Sequence, residues 1–97
     1  MHRALLERRI RDVHSRLVRA REDLAVLDEQ LAVVLETAEE ARVRSLVSET
    51  PLAAHEHSEA ARHADAMSKA RDVLASTVVD LELRQDELLS NVVIPRS

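Results

Sequence analysis

Apolar residues recur along this chain in two stripes that mirror each other about a single point. In the first half, Leu6, Ile10, Val13, Leu17, Ala20, Leu24, Leu27, Leu31, Val34, Ala38 and Ala41 alternate spacings of four and three. In the second half, Ala60, Ala64, Met67, Leu74, Val78, Leu81, Leu88 and Val92 keep the same register. The numbers of facing residues add to 98 throughout: Ile10 with Leu88, Leu17 with Leu81, Leu24 with Leu74, Leu31 with Met67, Ala38 with Ala60. A chain that turns back on itself at residue 49 therefore sets every a position of one helix opposite a d position of the other. That is the pairing of an antiparallel coiled coil. The expected fold is all-α: an antiparallel two-helix coiled-coil hairpin, with two hairpins assembling as a dimeric four-helix bundle.

The boundaries follow from the few residues that interrupt the pattern. Nothing between Arg3 and Val47 is proline or glycine. Ser48-Glu49-Thr50-Pro51 is the one break, with Thr50 placed to cap and Pro51 to open a second helix. Proline also biases Thr50 away from helical geometry. Residues 1–97 thus read as one hairpin domain: helix 1 over about 3–47, a turn at 48–50, helix 2 over about 51–91 stopped by Pro95, and a tail from 92. Each arm should measure roughly 60–65 Å. The rival arrangement is a single extended helix whose residues 6–45 pair with residues 53–92 of a second chain, since it buries the same a–d pairs. Thr50-Pro51 favours the hairpin. The absence of glycine, which makes a left-handed turn residue costly, favours the open form.

Composition supports a rod over a globule. Aromatic residues, glycine and cysteine are absent, while 33% of the chain is charged and 45% apolar. Without cysteine there is no disulfide, thiolate metal site or thiol nucleophile. No apolar run reaches the ~18 residues of a membrane span, and Met1-His2-Arg3 opens no signal-peptide core, so a cytoplasmic protein is expected.

A small hairpin buries a single seam and is marginal alone. A second set of apolar residues lies off that seam: Leu5, Val18, Val26, Val33, Val43 and Val47 on helix 1, and Val73, Val79, Leu83, Leu89 and Val93 on helix 2. A homodimer or another protein would cover them, so Val18, Val26, Val33, Val43 and Val47 are the candidate partner-binding residues. Toward the tip the seam itself thins to Ala38, Ala41, Ala53, Ala60 and Ala64, which bury little area, so the tip should fray before the base. Two seam positions are polar. Arg71 faces Leu27 and can snorkel toward Asp28 or Asp23, and Gln85 faces Val13. Such residues fix register at some cost in stability.

Charge is unevenly spread. Residues 1–22 carry seven arginines against three carboxylates, a balance of +4, while residues 23–60 balance to −7. Arg8, Arg9 and Arg11 are candidate phosphate contacts for a nucleic-acid binder or a regulator of transcription or translation machinery. Against this stand a net charge of −4, no aromatic to stack a base, and Asp80, Glu82, Asp86 and Glu87 set beside the arginines to pair with them. His55, Glu59 and His63, at i, i+4 and i+8, are weak candidates for a divalent metal and a metal-responsive regulator. The same residues make an ordinary polar surface, and no metal or other cofactor is assigned. Glu36, Glu39, Glu40, Glu49, Glu56 and Glu59 gather toward the tip. In shape alone the hairpin resembles the coiled-coil arm of Gre-type transcript-cleavage factors, which deliver tip carboxylates to the active site of RNA polymerase. Here the turn offers only Glu49, and residues 1–97 are expected to form no second domain.

A two-helix rod does not exclude water from a reaction centre, so an enzyme with a small-molecule substrate is not expected. The expected function is a non-catalytic protein–protein interaction module: an adaptor, small regulator or structural subunit, with itself or another protein as partner and no membrane.

Overall fold

The computed structural model describes residues 2–92. They form two helices and one turn: α1 spans Arg3–Ser48 and α2 spans Pro51–Ser90. The helices lie against each other along their length as an antiparallel hairpin of 75 × 19 × 15 Å. No strand occurs among the described residues.

The turn is two residues long because each helix end is satisfied locally. Glu49 takes the left-handed conformation (φ 50°, ψ 36°), and its N–H donates to the Ser45 carbonyl at 3.1 Å. A left-handed residue at this position is a common helix stop, usually glycine. Here a β-carbon sits in that region, at a cost of about 1 kcal/mol. Thr50 is extended, and its hydroxyl accepts the Ala53 N–H at 3.1 Å. Pro51 opens α2, where a missing N–H leaves nothing unsatisfied.

The seam follows the alternating spacing without a skip. Buried or half-buried residues occur in α1 at 6, 10, 13, 17, 20, 24, 27, 31, 34, 38, 41 and 45. In α2 they include 53, 57, 60, 64, 67, 71, 74, 78, 81, 85 and 88. Ser45 and His57 belong to it as well, each facing an alanine (Ala53 and Ala41), which the apolar pattern alone did not reveal. The core concentrates at the base, where Leu6, Val13, Leu17, Ala20, Val78, Leu81 and Leu88 form one cluster with Ile10, Leu24 and Leu74 against it. In the tip half the buried residues are Ala41, Ala53 and Ala64. A buried leucine contributes roughly 2 kcal/mol and an alanine a fraction of that.

One end of the seam differs from expectation. α2 stops at Ser90, and residues 91 and 92 form a turn in which the Asn91 and Val92 N–H groups donate to the Leu88 and Leu89 carbonyls (3.2 and 3.0 Å). Val92 is therefore 42% exposed and does not close the seam over Leu6. Val93 and the Pro95 stop lie outside the described residues.

Candidate interaction surfaces

The register that builds the seam also decides what each outward residue reaches. With Ile10 as a, the e and g positions flank the seam, b and c lie further out, and f points directly away. Interhelical ion pairs fix the two broad sides. Arg21 meets Glu82 at 2.8 Å, e to e, on one side, and Arg44 approaches Glu56 at 4.0 Å, g to g, on the other. On the g side Thr37 and His63 also share a shallow pocket with Val34 and Ala60.

Both polar seam residues find partners at the edge of the seam. Arg71 reaches Asp28 (Nε–Oδ1 2.7 Å), which raises the guanidinium pKa further, mainly through this hydrogen bond. Gln85 lies 3.2 Å from His14 (Nε2···Nδ1). No buried side-chain polar atom lacks a partner among the described residues.

The five candidate partner-binding residues are all exposed, from Val18 at 39% to Val47 at 79%. They do not form one line. Val26, Val33 and Val47 occupy c positions, on the same side as Val73 and Leu52 of α2. Val18 occupies a b position, on the side of Val79 and Leu46. Val43, at f, lines an open depression with Glu39, Glu40, Arg44, Val47 and Ser48. At its edge Arg42 grips Glu39 through two hydrogen bonds (2.9 and 2.7 Å), holding the Glu39 carboxyl below its ordinary value.

The N-terminal arginines are less neutralised than expected. Among the described residues, Arg8, Arg9, Arg11, Arg16 and Arg19 form no ion pair, and of the four acids expected beside them Glu82 engages Arg21 and Glu87 engages Arg84 of its own helix. The register explains this. Arg8 and Arg11 stand at f and b, too far out to reach α2. Arg9 and Arg16 stand at g, but the facing g residues are Asn91 and Arg84.

His55, Glu59 and His63 do not come together as a metal site. Among the described residues no group of three or more histidine, cysteine or carboxylate side chains is arranged to hold a metal ion. Steps of four residues advance round the helix, so the three occupy f, c and g in turn. Glu59 is also taken by Arg62 at 2.6 Å, and His63 lines the inner pocket.

No helix of the described residues is long and apolar enough to cross a membrane. Comparison with known protein families, curated proteins and solved structures finds no match.

Proposed function

We propose that this hairpin is a non-catalytic interaction module that binds another protein surface through its outward apolar residues, as an adaptor, small regulator or structural subunit. One observation carries the reading. Among the described residues, fourteen large apolar side chains remain exposed after the hairpin has closed its own seam, against ten buried apolar residues. The accessible surface is 7285 Å². A compact protein of this mass exposes about 5,600 Å². The exposed apolar side chains on this extended surface are what a partner helix or bundle would cover. Binding of this kind is driven by apolar burial, so added salt should hardly weaken it. The test is affinity capture with the intact chain at low and high salt, beside a Val26→Asp/Val73→Asp variant. A partner kept at high salt by the parent and lost by the variant supports the reading.

A second reading, phosphate binding by Arg8, Arg9 and Arg11, draws on the absence of carboxylate partners for these three side chains. It predicts binding to nucleic acid that falls steeply with salt and disappears in Arg8→Ala/Arg9→Ala/Arg11→Ala. Capture unaffected by the valine substitutions but abolished by these would replace the first reading with the second.

A further inference from the structure

The two broad sides of the rod differ in the middle. On the e/b side, Asp28, Asp65 and Asp72 keep that region charged. On the g/c side, Val26, Gln30 and Val33 of α1 lie beside Ala66, Ala70 and Val73 of α2, all exposed. Thr37 and His63 extend this area toward the tip without adding a fixed charge, and toward the base it ends where Asp23 faces Thr77. In a chain that is 33% charged, an uncharged patch of this length stands apart.

Beyond the patch two rungs are like-signed, beside the opposite-signed rungs Arg19–Asp80 and Arg44–Glu56. Toward the base, Arg16 faces Arg84, g to g. Toward the tip, Glu40 faces Glu59, c to c. Arg84 reaches only Glu87 of its own helix (3.5 Å) and Glu59 only Arg62. Arg16 and Glu40 form no ion pair among the described residues. Within one hairpin these two like-signed rungs are repulsive.

We propose that a second copy of this chain covers the g/c side, the two rods lying antiparallel about a two-fold axis at the level of Asp28 and Arg71. This rests on the interaction-module reading and names its partner. About that axis α1 lies over α1 of the second copy and α2 over α2. Arg16 then falls opposite Glu40 of the second copy, and Arg84 opposite its Glu59. The same axis sets Asp12 against Arg44 and Asp80 against His63. Glu87 against Glu56 is unfavourable, and Asp23 falls over Val33 of the second copy without a counter-charge. Because each rung is level across the hairpin, one axis position serves both helices. The uncharged patch falls at the centre, and two hairpins so packed make a four-helix bundle. The parallel alternative stacks four arginines at one level and four glutamates at another, which rejects it electrostatically.

Charge exchange in the full-length chain tests the pairing, with mass in solution as the readout. The parent is expected to be a dimer. Arg16→Glu and Glu40→Arg each set two like-charge pairs across the interface and should weaken dimerisation about tenfold. The double variant restores opposite charges and should recover it. The chain has no cysteine, so single cysteines give a second readout. Gln30→Cys lies near the axis and should be joined to its copy by a short bis-maleimide, whereas Thr37→Cys should not. A monomer at every attainable concentration overturns the proposal and leaves the interaction reading open to a different protein. A dimer in which the double variant fails to recover, or in which Thr37→Cys links and Gln30→Cys does not, overturns the antiparallel pairing. Salt-sensitive nucleic-acid binding by a monomer would remove the reading on which the proposal rests.

Discussion

Arg71 stands opposite Leu27 on the seam, yet its guanidinium leaves the seam to meet Asp28, one residue along the facing helix, at 2.7 Å. Its aliphatic stem fills the seam position while the charge stays at the edge, so the side chain remains 36% exposed. An apolar residue here would pack better and discriminate less between registers. Arg71→Leu should raise the unfolding midpoint slightly and permit species of altered oligomeric state. Urea denaturation with sedimentation on the same samples reads both, and a loss of stability would show that the Asp28 pair outweighs the packing.

Leu17 is fully buried in the base cluster. Leu17→Ala should cost about 3 kcal/mol. A domain this small has little to spare, so the variant should have lost most of its helix signal at 37 °C. The alanine-lined tip should open first. Amide exchange in the segments around Ala41 and Ala60 is expected to run faster than around Leu17 and Leu81, and uniform protection along the rod would contradict this.

Two turn residues act in opposite directions. Glu49→Gly removes the left-handed penalty and should stabilise the hairpin by roughly 0.5–1 kcal/mol. Thr50→Ala removes the acceptor for the Ala53 N–H and should destabilise it by about 1 kcal/mol. Thermal unfolding of the two variants beside the parent checks both signs.

The Glu39 carboxyl is held low by Arg42 when folded, so its contribution is present above its unfolded value and is lost as pH falls through the folded value. Both side chains are exposed, and the effect is small and screened by salt. Glu39→Gln should therefore flatten the acid limb of the stability profile slightly and leave stability above the carboxylate range almost unchanged. A loss near neutrality as large as that of Thr50→Ala would contradict an exposed pair.

Most of the fold was legible because a coiled-coil seam writes itself into residue spacing. The facing pairs, the Thr50-Pro51 start and the reach of Arg71 to Asp28 all follow from periodicity and local chemistry. Ser45 and His57 were hidden because they continue the spacing without being apolar. Helix 2, expected to about residue 91, ends at Ser90 with Asn91 as its cap, and the seam spacing runs on to Val92, which the helix does not carry. The candidate surfaces were only partly legible. Counting apolar residues off the seam found the exposed valines, but dividing them between two sides needed the e and g ion pairs. The acids of α2 looked near enough to neutralise Arg8 and Arg11, but closeness in a rung diagram ignores the direction in which a side chain leaves its helix.

The two-residue turn has a consequence for errors in alignment. A heptad repeat is blind to slippage by seven residues, which moves one helix past the other by about 10 Å. Glu49 and Thr50 together span no more than about 7 Å when fully stretched. No slack chain is stored there, so a slipped hairpin must first unravel a helix end. The turn thus measures out the two arms like a short tether, and a misaligned hairpin is blocked by length before any side chain votes against it.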